Sequence, residues 1–185
     1  MVHDENTAFH GGALTISGGT TLLLGATFSG NQVQQNQSIG GAIYVNLTNA
    51  NNAVVEISGS TFTGNYSAKR GGALNLRGND TTSVKISDTV FDGNSNGNEE
   101  WAAGAIYQRT GTLTLTGELK FLTATDCIYA ASGSVVNIDT ADILLKSGLS
   151  ASKLNLANSK ITFDGSDAFW VYDLEISGKN RAGRP

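Results

Sequence analysis

The chain has 185 residues, 39% hydrophobic and only 15% charged, with 23 glycines and one proline. That is long enough for one domain with a real core and too poor in charge for a solvated disordered chain. A net charge of −4 removes the electrostatic case for nucleic acid or an anionic membrane as partner. Cys127 is the only cysteine, so no intramolecular disulfide can form, and its neighbours Ile128 and Tyr129 suggest a small buried hydrophobe. No stretch approaches the roughly 20 apolar residues of a membrane helix.

In chain order, Met1 to His10 reads as a flexible N-terminal edge. It lacks the basic-then-apolar pattern of a signal peptide, which suggests an excised piece rather than a protein that stays inside the cell. From Gly11 two phrases alternate. The first is Gly11-Gly12-Ala13-Leu14, Gly40-Gly41-Ala42-Ile43, Gly71-Gly72-Ala73-Leu74 and the worn Ala103-Gly104-Ala105-Ile106, its second glycines 29, 31 and 32 residues apart. The second is Phe28-Ser29-Gly30-Asn31, Phe62-Thr63-Gly64-Asn65 and Phe91-Asp92-Gly93-Asn94. A fixed period of this size marks stacked structural units.

Within the second unit, Ile43 to Val45 reads as a strand, Asn46 to Ala53 as a polar loop and Val54 to Ile57 as a strand. Ser58-Gly59 is a turn, and Thr61-Phe62 a short strand closed by Gly64-Asn65 before a long turn. Leu14-Thr15-Ile16, Leu74-Asn75-Leu76, Val84-Lys85-Ile86, Leu113-Thr114-Leu115 and Val136-Asn137-Ile138 alternate in the same way, and no helical stripe occurs. After Gly104 the units shorten to Gly104–Asp126, Cys127–Gly148, Leu149–Asp167 and a partial one from Ala168. Residues 179–185 read as a disordered tail.

One such unit cannot bury its apolar residues alone, but stacked copies can. The expected fold is all-β: a single-stranded, right-handed parallel β-helix of about six to seven coils of 20–32 residues. It spans 11–178, with long looped coils over 11–103 and plainer ones over 104–178. In that stack Phe28, Phe62 and Phe91 form an internal ladder extended by Phe121, and Asn31, Asn65 and Asn94 form a second ladder at a corner. The glycine pairs Gly11-Gly12, Gly40-Gly41 and Gly71-Gly72 mark a corner where a β-carbon would crowd the next coil.

Few residues suggest chemistry. Asp92, Asn94 and Asn96 match the start of a calcium loop, but Ala103 stands where the bidentate glutamate belongs. Glu118 with Asp139, and Asp142 with Asp164, lie about one coil apart and are the candidate carboxylate pairs for glycan cleavage. His3 and His10, beside Asp4 and Glu5, sit on the loose edge. We expect no cofactor, no structural metal and no enzymatic activity. Surface recognition is left. Gln32 to Ile39, Tyr66 to Arg70 and Ser95 to Ala102 fall at one corner of successive coils, which brings together Tyr66, Lys69, Arg70, Glu99, Glu100 and Trp101 as candidate binding residues.

The alternation of GGA[LI] with F-x-G-N, from Gly11 to Ile106, resembles the polymorphic membrane proteins of chlamydiae, a group of autotransporter adhesins. The resemblance implies a β-helical passenger domain, export through a C-terminal β-barrel, and a place on the bacterial surface, in the outer membrane or in the secreted fraction. It also implies attachment to a host cell-surface protein or glycan, without membrane insertion by this segment. The chain lacks the family's signal peptide and barrel, which suggests a passenger fragment. A polysaccharide lyase or glycoside hydrolase-like β-helix and a non-binding spacer are the alternatives. The solenoid ends, with unpaired backbone, are expected to favour self-association.

Overall fold

The structure, a computed structural model, describes residues 2–97, 102–123, 125–165 and 169–183. Its strands pair in parallel, each with its own counterpart one coil away. The result is a parallel β-helix with no α-helix among the described residues.

Three walls run the length of the stack. The first follows the glycine phrase and carries the inward row Leu14, Ile43, Leu74, Ile106, Ile128, Leu149 and Phe169. The second carries Leu23, Ile57, Ile86, Leu115, Ile138, Leu156 and Ile176. The third carries His3, Phe28, Phe62, Phe91, Phe121, Leu145 and Phe163. Alternate residues on each wall point inward, so a period of two in the sequence becomes one continuous apolar column. After residue 104 the connections shrink to bulges, and Ile106–Leu122 and Ile128–Leu145 run across all three walls without a break. Gly111 and Gly117, at φ of 85° and 69°, make the bends.

Three expectations need correction. The segment after each F-x-G-N is not simply a loop. Its first two residues form a short fourth wall, with Gln32–Val33, Tyr66–Ser67 and Ser95–Asn96 paired in register. The N-terminal edge is a partial coil: Val2–Asp4 pairs with Thr27–Ser29, and Thr7 bridges Gln32. Arg181–Gly183 likewise pairs with Lys160–Thr162, so part of the expected tail 179–185 is a strand. In both end segments backbone pairing to an existing wall satisfies groups that a loose terminus would leave to water.

The four phenylalanines stack face over face. Centroids from Phe28 to Phe62, Phe91 and Phe121 lie 4.8, 4.9 and 4.9 Å apart, with planes within 8° of parallel. All four are fully buried. His3 caps the column at 4.9 Å from Phe28.

The asparagine ladder runs beside it. The Asn65 backbone N–H and its Nδ2 both donate to Asn94 Oδ1, at 3.0 and 2.8 Å. Asn31 does the same to Asn65, at 3.0 and 2.9 Å, and Asn6 to Asn31, at 3.1 and 2.9 Å. Three Nδ2 groups also reach back to a carbonyl of the preceding coil: Asn31 to His3 O, Asn65 to Phe28 O and Asn94 to Phe62 O. The ladder thereby satisfies the backbone at a buried corner, where an unpaired group costs about 1–3 kcal/mol. Asn6 is a further rung, and His3-Asp4-Glu5-Asn6 is a worn copy of the phenylalanine phrase.

The glycine pair divides its work. The first glycine has positive φ, 59° at Gly11, 72° at Gly40 and 68° at Gly71. The second sits under the next coil: a β-carbon on Gly41 would lie 2.0 Å from Gly72 O and 2.6 Å from Tyr66 O. Cys127 is buried and its thiol pKa is raised, chiefly by loss of solvent.

Two predictions test this packing by equilibrium urea unfolding. Phe62→Ala should cost roughly 3–5 kcal/mol; a cost below about 1 would mean that the column does not carry the core. Gly41→Ala should cost more than about 3 kcal/mol, because backbone would have to move. Gly64→Ala has φ of 60° but no atom within 4 Å of the added carbon, so it should cost only about 1–2 kcal/mol. Equal costs at the two glycines would refute the close approach of coils at Gly41.

Candidate recognition surface

The corner after the fourth wall is held by Ser67. Its buried Oγ accepts the Arg70 N–H at 3.1 Å and lies 3.1 Å from the carbonyls of Ser38 and Arg70. This tight turn sends Arg70 round onto the outer face of the first wall. There the guanidinium lies 5.0 Å from the Tyr107 ring centroid, and Nη1 donates to the Tyr107 hydroxyl at 3.1 Å. Lys69 Nζ donates to Gln37 Oε1 of the preceding coil at 2.9 Å.

Lys69 and Arg70 share a recess of about 100 Å³ with Arg77, Arg109, Asn75 and Tyr107. Four cations therefore gather on a chain whose net charge is −4. Arg77 lies 5.6 Å over the Tyr44 ring, and Tyr44 also meets His10 at 5.2 Å. His10 is no loose-end residue. It is half-buried, its Nδ1 accepts the Ile39 N–H, and its pKa is lowered by desolvation and then by the Arg77 charge.

Of the expected binding residues, Lys69 and Arg70 line the recess and Tyr66 does not. Tyr66 is half-buried on the fourth wall, its hydroxyl directed at Gly97 of the next coil. Glu99, Glu100 and Trp101 lie outside the described residues. Sequence reasoning missed Arg77 and Arg109. Arg77 ends the strand Leu74–Arg77, one residue beyond the alternating stretch Leu74-Asn75-Leu76. Arg109 is one extra residue in its strand, since Leu76 pairs Gln108 and Arg77 pairs Thr110, and a bulge leaves no trace in periodicity.

The outer face of the first wall carries a row of its own: Tyr44, Asn75, Tyr107, Tyr129, Ser150 and Trp170. Tyr107 and Tyr129 stack at 5.5 Å and 13°. Burial pushes the Tyr129 phenol pKa up, with the Tyr107 phenol adding to it and Arg70 opposing.

The carboxylates fall in a different register from the one expected. Glu118 pairs with Asp142, and Asp142 with Lys160, whereas Asp139 pairs with Ala157. The coil length differs from wall to wall, because register shifts between Gln108 and Gly111 and between Leu115 and Gly117 move Glu118 onto Asp142, and residues 131–134 bulge out against the next coil. Glu118 contacts Lys120 at 2.8 Å and Asp142 contacts Lys160 at 3.3 Å, both at the surface. In the calcium candidate Asp92 is exposed, while Asn94 is committed to the ladder and Asn96 Nδ2 donates to Ala102 O at 2.9 Å. Among the described residues no three His, Cys, Asp or Glu side chains converge to hold a metal, and no helix is long and apolar enough to cross a membrane.

Comparison with curated proteins and with solved structures gives no match. A family model does match, and its two hits cover the same structural frame: the phenylalanine rung, the asparagine corner, the glycine pair and the first-wall strand that follows. Residues 25–46 and 59–76 match the model of the Chlamydia polymorphic membrane protein repeat.

Proposed function

We propose that this chain is part of a bacterial surface adhesin, a β-helical passenger-type segment of the polymorphic membrane protein kind that attaches to host cells. The repeat supports a surface or outer-membrane location. The observation that carries the attachment reading is the recess at the corner. Lys69, Arg70, Arg77 and Arg109 surround Tyr107 on a chain that is acidic overall. Tyrosine and arginine together are the side chains that dominate protein recognition surfaces. A cationic patch also speeds encounter with the anionic surface of a host cell.

Binding is favoured over catalysis by the placement of the carboxylates. Glu118 and Asp142 each sit against a lysine at the surface, whereas a glycosidase sets its acid carboxyl in a buried pocket.

The test is saturable binding of the purified chain to cultured epithelial cells, beside Lys69→Glu/Arg109→Glu. Both side chains reach solvent, so the variant should fold as the parent does. Binding should fall at least about tenfold in the variant and weaken between 50 and 300 mM salt, as screening of exposed charges requires. Full binding by the variant would remove the recess as the site. No binding by the folded parent would leave a spacer.

A further inference from the structure

The outer row of the first wall has two gaps, and the molecule treats them differently. In the sequence of rungs Tyr44, Asn75, Tyr107, the middle place holds a short side chain between two aromatic rings. Planar groups fill that gap: the Arg77 guanidinium covers Tyr44 and the Arg70 guanidinium covers Tyr107. Asn75 beneath them is 1% exposed. In Tyr129, Ser150, Trp170 the same interruption recurs, again with a short side chain in the middle. Here the space is open, a cleft of about 490 Å³, within the usual size of a small-ligand site.

Its dimensions follow from the strand spacing. Rungs are about 4.8 Å apart, so Tyr129 and Trp170 stand about 9–10 Å apart across Ser150. A ring midway between them would lie about 4.8 Å from each. Phe62 occupies such a place inside the core, 4.8 Å from Phe28 and 4.9 Å from Phe91.

The lining sets the chemistry. Ser150 and Ser152 form the floor, and Ser132 projects from the 131–134 bulge as part of one wall. Tyr172 extends the opposite wall beside Trp170; the two aromatics are 84% and 59% exposed. No charged side chain lines the cleft among the described residues. Aromatic walls suit a ring with apolar C–H faces, and serine hydroxyls suit a ring with polar groups around its rim. An ionised ligand would find no counter-charge among these lining residues.

We infer that the cleft between Tyr129 and Trp170, floored by Ser150 and Ser152, is a binding site for a neutral pyranose residue of a glycan. The ring enters the vacant rung, stacks on both aromatic walls and offers its hydroxyls to the serines. The site is separate from the cationic recess and does not depend on it.

The experiment uses three neutral probes, cellotetraose, maltotetraose and chitotetraose, titrated into the intact chain by saturation-transfer NMR and tryptophan fluorescence. At least one should bind saturably, with a Kd on the order of 1 mM. Two variants report on the slot. Ser150→Tyr places a ring on the vacant rung, as Tyr107 and Tyr129 already stack, and Trp170→Ala removes an exposed wall; each should weaken binding at least about tenfold. Trp170→Ala keeps the test decisive should the larger substitution fail to fold. Lys69→Glu/Arg109→Glu should bind the sugar unchanged, which separates this site from the attachment reading. No saturable binding of any probe by the native chain overturns the inference. So does equal affinity in Ser150→Tyr, or a concentration-dependent dimer that Ser150→Tyr abolishes, since that would place a second copy in the cleft.

Discussion

Everything in this structure follows from coils stacking so that each wall residue meets its counterpart at the strand spacing, about 4.8 Å. Like therefore tends to meet like. For phenylalanine this gives a continuous column, and for asparagine it gives a chain of amides in which each side chain is donor to one neighbour and acceptor from the other. For charge it would give repulsion. The outward positions answer by alternating: Glu56 pairs with Lys85, Asp142 with Lys160 and Lys153 with Asp173. Glu118 over Asp142 and Lys160 over Arg181 are exceptions, and a lysine stands against each of the two carboxylates. The low charge content of the chain fits a scaffold that can tolerate few identical charges in a row.

The architecture was legible because its two hardest requirements each demand one residue type. Only glycine fits beneath the next coil at Gly41, and only a side chain with both donor and acceptor can bridge corners as Asn65 does. Such demands write themselves into the sequence at coil spacing. The short fourth wall was less visible because two residues are too few to show alternation. The first partial coil was hidden for another reason: His3 replaces phenylalanine and Glu5 replaces glycine, so only the asparagine of the phrase survives.

The surface was legible only in outline. Lys69 and Arg70 could be placed at a corner from spacing, but the path of Arg70 onto Tyr107 depends on the Ser67 turn, which periodicity does not encode. The carboxylate pairs were misjudged because three register shifts between the long strands change the coil length from wall to wall. The cleft at Ser150 was invisible for a simpler reason. A serine flanked by alanine and leucine in sequence carries no signal, and its meaning comes from tyrosine and tryptophan a coil away on either side.

The asparagine ladder also has a direction. Between rungs the bonds all run one way: Asn6 donates to Asn31, Asn31 to Asn65 and Asn65 to Asn94. Its amide dipoles thus add along the rod axis, and each bond polarises the next. A break at the middle rung would be felt on both sides at once: the coil before loses an acceptor, and the coil after loses its donor. The ladder couples neighbouring coils lengthwise, so that a stack of separately weak units resists fraying as one body.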